Sequence, residues 1–266
     1  MGLAWYAKGQ YDKARDFLQQ SLENRIRNFG EHHPRIARAQ NNLGEVWRAN
    51  GQYDKAIKLF QQALTSFIKS FGEHHPEVAR TLNNLGGTWY AKGQYDKAIE
   101  FYEQALANFI KSFGEDHPEV ATTQNNLGGT WYAMRQYGKA IEHFQQALAS
   151  DIKNLDANHP SVAGTLSNLG LIWAAKGKYE KAIDFLQQAL ASFIKSFGQS
   201  HPQVATTQNN LGGTWYTMRQ YDKAIEHFQQ ALVIYIDQLG AEHPDTKMAA
   251  AHLAAAKKAQ GQQFYH

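Results

Sequence analysis

The chain has 266 residues, a formal net charge of +3 and no cysteine. The missing cysteines exclude a disulfide framework, a thiolate nucleophile and thiolate-bound zinc, and the small charge sets up no field favouring nucleic acid or an anionic membrane surface. No apolar run approaches the ~20 residues that span a bilayer.

Taken in order, the chain opens in mid-unit. Residues 1–8 align with Leu43 to Asn50 as the latter half of a first helix, which leaves Leu3 and Trp5 without the preceding turns. The expectation is a piece cut from a longer array. From there every tryptophan (Trp5, Trp47, Trp89, Trp131, Trp173, Trp215) and every proline (Pro34, Pro76, Pro118, Pro160, Pro202, Pro244) recurs at intervals of 42 residues. Self-similarity at that period means stacked supersecondary units, each touching only its neighbours.

Each unit reads as a short helix, a tight turn and a longer helix. Pro118 suits the first turn of a helix, where its missing N–H is not needed, and Val120, Leu127 and Trp131 follow on one face. Glycine breaks the chain after the first helix at Gly9, Gly51, Gly93 and Gly177, with Arg135 and Arg219 in its place in two units. In the second helix Tyr95, Ala98, Ile99, Tyr102, Ala105, Leu106, Phe109, Ile110 and Phe113 form one apolar stripe. Gly114 then reads as the left-handed residue that ends many helices. Gly30, Gly72, Gly198 and Gly240 repeat that stop, and Asp156 is the exception.

Small residues mark where helices touch. Gly44, Gly86, Gly128, Gly170 and Gly212 sit mid-helix, where glycine costs roughly 1 kcal/mol relative to alanine, so a close neighbour must compensate. Ala14, Ala56, Ala98, Ala140, Ala182 and Ala224 are the matching column of the second helix. The units run to about residue 243, a capping helix covers 244–260 and residues 261–266 are a tail, which makes one domain and thirteen helices counting the half-helix at the start. A longer period overlies the first, because Ala121–Ala149 and Ala205–Val233 are nearly identical 84 residues apart. Units are therefore duplicated in pairs.

NNLG, the aromatic four residues after its leucine, GQYDKA, QQAL and the FGEDHPEVA linker resemble the tetratricopeptide repeat, in the 42-residue form of kinesin light chains. The likeness covers essentially the whole chain. It implies an all-α, right-handed superhelical solenoid of stacked antiparallel helix pairs, with first helices lining a concave groove that binds peptides. Tryptophan at the place of Trp131 departs from the tyrosine common in such repeats.

A helical wheel puts Thr122, Asn125, Asn126, Gly129, Tyr132 and Ala133 on the side of the first helix away from Val120, Leu127 and Trp131. Repetition makes this side an amide ladder of Asn42, Asn84, Asn126, Asn168 and Asn210, partnered by Asn41, Asn83, Asn125, Ser167 and Asn209. Amides both donate and accept, so the row suits an extended peptide backbone; the bland alternative is that they bond neighbouring helices. Asn126 and its equivalents match the column that supplies a ligand-binding asparagine in the resembling family. Arg38, Arg48 and Arg80 cluster on this side with Glu45 as partial offset, which points to an acidic ligand segment. Tyr90, Tyr132 and Tyr216 add aromatic edges, and Gly87, Gly129 and Gly213 open room.

The histidines before each proline (His33, His75, His117, His159, His201, His243) read as structural, too far apart to share a metal. Lys13, Lys55, Lys97, Lys139, Lys181 and Lys223 read as an outer stripe neutralised by adjacent acids. RNA binding would need basic residues in most units, and Thr122, Gly164 and Thr206 stand where Arg38 and Arg80 do. The expectation is a non-enzymatic, cytoplasmic scaffold with a protein or peptide ligand, without cofactor, metal, nucleic-acid or membrane partner. Its rival is a self-association or ligand-sensing segment of a larger nucleotide-switch protein. The apolar start, Leu3, Trp5, Phe17 and Ile26, predicts end-to-end stacking.

Overall fold

The computed structural model describes residue 5, residues 11–29 and residues 33–263. Twelve helices occur among them: α1 (Tyr11–Phe29), α2 (Pro34–Ala49), α3 (Tyr53–Phe71), α4 (Pro76–Ala91), α5 (Tyr95–Phe113), α6 (Pro118–Ala133), α7 (Tyr137–Asn154), α8 (Pro160–Ala175), α9 (Tyr179–Phe197), α10 (Pro202–Thr217), α11 (Tyr221–Leu239) and α12 (Pro244–Gln263). The half-helix expected at residues 1–8 lies outside the described residues except for Trp5, which is helical. The last helix runs on through Gly261 to Gln263, past the boundary expected at residue 260. Two compact units divide the chain, residues 1–136 and 137–266. Within each, antiparallel helix pairs stack one on the next.

First helices start in the same way in every unit. Each histidine stands at the N-cap with its proline at the first helical position, and its Nδ1 accepts a backbone N–H two residues on, as from Glu77 to His75 at 3.2 Å. Phe71, Phe113 and Phe197 stack on His75, His117 and His201 at 4.3, 4.0 and 4.1 Å between ring centroids. The histidines are thus caps and ring partners. First helices end by giving two N–H groups back, from Gly93 to Tyr90 O and from Gln94 to Trp89 O, both at 2.9 Å. That is the Schellman closure, with the left-handed residue at Gly93 (φ +76°). Arg135 and Arg219 take the same turn at φ 59°.

Second helices stop differently from the expectation. Gly114 has φ 84° and ψ 168°, outside the left-handed helical region and in one that only glycine enters readily. Asp156, the exception, belongs to a different turn. There α7 ends at Asn154 and the Asp156 carboxylate accepts from the Asn158 backbone N–H at 2.8 Å, a bond that holds its pKa below the usual value.

The mid-helix glycines have the predicted cause. A Cβ at Gly44, Gly86, Gly170 or Gly212 would stand 2.7, 2.6, 2.7 and 2.7 Å from Phe60, Tyr102, Leu186 and Phe228 respectively. The side chain pressed against each glycine is the bulky residue one turn after the alanine column. The alanines themselves are fully buried. Ala37, Ala63, Phe67, Val78, Ala79, Leu82, Ala105, Phe109 and Val120 then form one core through α2 to α6.

Successive pairs are not alike beneath the second helices. Leu82 and Leu166 belong to the core, with Phe101 and Phe185 against them. Gln208 instead faces His227, Oε1 to Nδ1 at 2.5 Å, and Gln40 Nε2 donates to Gln62 at 3.3 Å. Clefts of about 530 and 560 Å³ open beside Gln40 and Gln208.

Candidate functional site

The amide ladder is divided. Asn41 Nδ2 donates to Thr81 Oγ1 at 2.8 Å, Asn126 Nδ2 donates to Asn83 Oδ1 at 3.1 Å, and Asn209 Oδ1 meets His252 Nδ1 at 3.0 Å. Each bond runs from one first helix to the next. These residues stitch the stack, as the bland reading held, and Asn125 is engaged as well. The other column is mixed, because its member Asn126 is the donor to Asn83. The side-chain amides of Asn42 and Asn84 in the first unit, and of Asn168 and Asn210 in the second, have no hydrogen-bond partner among the described residues. All four reach solvent, Asn168 most fully. Thr122 and Tyr90 are also exposed, Tyr132 is half-buried, and Tyr216 is exposed beside Tyr221, 5.5 Å between ring centroids.

The arginines are committed. Arg38 holds Glu77 through Nε and Nη2, both at 3.0 Å, and Arg80 Nε holds Glu119 at 2.9 Å. Arg48 pairs with Glu45 at 2.5 Å. Each of the three has a carboxylate beside it, which offsets the charge of the cluster. The sequence holds the signal. The acids stand 39 residues after Arg38 and Arg80, and at Thr122 and Gly164 both partners vanish together, into Ser161 and Gln203.

The lysines of the ladder are exposed, and they also cover the tryptophans. Lys55, Lys97, Lys181 and Lys223 place Nζ 4.3, 4.2, 3.8 and 4.1 Å from the ring centroids of Trp47, Trp89, Trp173 and Trp215. An ammonium over an indole face gains about 0.5–2 kcal/mol. The recurring spacing of eight residues between Trp and Lys could have revealed it. It also gives the tryptophan a role that a smaller ring performs less well.

Burial holds the His227 imidazole below its usual pKa against the pull of Glu226, and it does the same at His143. The unfolded chain, titrating near 6.5, therefore takes up protons first. Stability from the neutral imidazole is full above that value and is lost as pH falls through the lower, folded one. Exchanging Gln208 and His227 together for leucine and phenylalanine, the pair found at Leu166 and Phe185, is expected to flatten the fall in melting temperature between about pH 7 and pH 5. An unchanged slope would sink that account.

At the chain's start Phe17 is exposed and Ile26 packs on the core of α1 and α2, while Leu3 lies outside the described residues. No described helix is long and apolar enough to cross a membrane, and among the described residues no three His, Asp or Glu side chains gather as metal ligands.

A tetratricopeptide repeat family model matches residues 1–65, 35–111, 87–153, 161–237 and 203–263. Among solved structures, the nearly identical TPR-like repeats ascribed to a kinesin light chain of Podosopora anserina are 27% identical, with a TM-score of 0.65 over 78% of this chain and 98% of that one. BtubC (BKLC) from P. vanneervenii shares the fold at 24% identity and a TM-score of 0.75, over 88% of this chain and 94% of that one. So does aspartyl phosphate phosphatase F from Bacillus subtilis, at 14% identity and a TM-score of 0.69, over 97% and 68%. No curated protein sequence matches significantly. With histidine–proline caps, glycine–aromatic contacts and Schellman turns repeating through both units, and family matches running from residue 1 to residue 263, the chain belongs to the tetratricopeptide repeat family.

Proposed function

We propose that this chain is a peptide-binding module whose uncommitted asparagines hold the backbone of an extended, largely uncharged segment of another protein. Tetratricopeptide repeats generally serve as protein-interaction scaffolds rather than enzymes. The observation that carries the finer reading is the split ladder. Asn41, Asn83, Asn126 and Asn209 bond neighbouring helices, while Asn42 and Asn84 in one unit, and Asn168 and Asn210 in the other, leave donor and acceptor open to solvent. An extended peptide has free N–H and C=O groups along its whole length, and within a unit the open pair, Asn42 with Asn84 or Asn168 with Asn210, matches that need. The internal pairing of Arg38, Arg48 and Arg80 favours a ligand without a run of acids.

Peptides selected by display against the intact chain test this. Asn84→Ala is expected to weaken them about tenfold, the effect of one lost hydrogen bond to a desolvated partner, with the unfolding midpoint unchanged. Asn41→Ala should instead lower the midpoint, because its amide bonds Thr81. Peptides that ignore Asn84→Ala yet fail when the exposed lysine in the last turn of α3 is reversed, Lys69→Glu, would show that the working surface lies elsewhere.

A further inference from the structure

Two neighbouring glycines on α10 stand in opposite circumstances. Gly212 is required by packing, since a Cβ there would meet the Phe228 ring at 2.7 Å. A Cβ at Gly213 would meet nothing within 4 Å. Packing therefore gives no return for a second helix-weakening glycine at this point. The space it leaves belongs to a cavity of about 260 Å³ walled by Gly213, Tyr216, Phe228, His252 and Ala255.

The first unit shows why the space stays open. At the equivalent Gly87 a Cβ would lie 3.3 Å from Arg48 Nη1 and 3.4 Å from the Tyr102 hydroxyl, so those two groups occupy the space. The residue standing to Gly213 as Arg48 stands to Gly87 is Ala174, and Phe228 replaces Tyr102. Both filling groups are gone, and only carbon remains where they were.

The wall chemistry names the occupant. Among the described residues no acid, lysine or arginine lines the cavity, and their one titratable wall residue other than a tyrosine, His252, directs Nδ1 to Asn209. A charged group would lose its hydration here without a counter-ion. The volume falls below the roughly 300–1,000 Å³ of small-molecule sites, which fits one large side chain. Asn210, with its open amide, lies one turn before Gly213 on the same face of α10. We propose that the Gly213 cavity takes an uncharged apolar side chain, of leucine or phenylalanine size, from a peptide whose backbone meets Asn210. The backbone clause rests on the peptide-binding reading above.

The probe is an acetylated, amidated Gly-Ser-X-Ser-Gly pentapeptide with phenylalanine, leucine, lysine or glutamate at its centre, titrated into labelled full-length chain and followed by amide chemical shifts. Phenylalanine and leucine are expected to bind about tenfold or more better than lysine and glutamate, the discrimination an apolar pocket supplies. Gly213→Leu should erase that preference while leaving the melting temperature unchanged or raised, and Ala174→Arg, which refills the space from the neighbouring helix, should do the same. Gly212→Ala, by contrast, should lower the melting temperature. Asn210→Ala should weaken all four probes alike. A preference that survives both cavity-filling variants, or no binding of the phenylalanine probe at millimolar concentration, overturns the proposal. If Gly213→Leu abolishes binding while Asn210→Ala is silent, the cavity stands and the amide reading falls. If Asn210→Ala alone matters, the cavity proposal falls and the amide reading stands.

Discussion

Gly86→Leu is expected to destabilise the array by about 3 kcal/mol, at the upper end of the cost of overpacking. The added Cβ alone would fall 2.6 Å from Tyr102 Cδ1 and 2.7 Å from Cε1. That ring cannot retreat. It is buried among Ala98, Ile99 and Leu127, with Trp89 and Trp131 against the cluster, and its hydroxyl, whose pKa burial pushes up, points to the neighbourhood of Arg48. Denaturation followed by circular dichroism gives the midpoint. Adding Tyr102→Ala should rescue part of the loss, so the two changes couple by ~1–3 kcal/mol in a double-mutant cycle. A midpoint indifferent to Gly86→Leu would mean that the two helices do not approach as described.

The second large effect belongs to the stop after the second helix. Gly114→Ala is expected to cost about 2 kcal/mol, because φ near +84° with ψ near 168° is strained for any residue with a Cβ. Gly93→Ala should cost about 1 kcal/mol, since single L-residues do enter the left-handed helical region. The chain supplies its own controls. Arg135 and Arg219 sit at that turn with φ 59°. At the other stop, the one natural replacement, Asp156, comes with a different turn held by its carboxylate. If both alanine variants lost the same stability, the distinction between the two turns would be void.

Much of this was legible in the residues. Helix order, the apolar stripes and the contact behind Gly86 follow from periods of 3.6 and 42, because burial in a stack repeats wherever the sequence repeats. What the single-helix wheel hid was partnership between units. It placed Asn83 and Asn84 on one open face, yet the first accepts a bond from Asn126 of the next pair and the second has an open amide. A wheel gives directions around one axis and says nothing of where the next axis lies. The arginines' partners were hidden for the same reason, since Glu77 and Glu119 come beside them only once the pairs are stacked. Gly114 misled for another: a glycine letter announces positive φ without saying which ψ goes with it.

From Leu82 onward, the alternation of Leu–Phe with Gln–His beneath successive second helices bears on how such a gene can change length. Leu166 with Phe185 and Gln208 with His227 are two kinds of brick, and the near-identity of Ala121–Ala149 to Ala205–Val233, 84 residues on, repeats the second kind as Gln124 with His143. Unequal crossover that inserts or deletes 84 residues leaves every junction of a kind already present. A slip of 42 brings two bricks of one kind side by side, a junction that does not occur from Leu82 onward. Natural length variants of this array should therefore differ by even numbers of units, a parity imposed on recombination by the core.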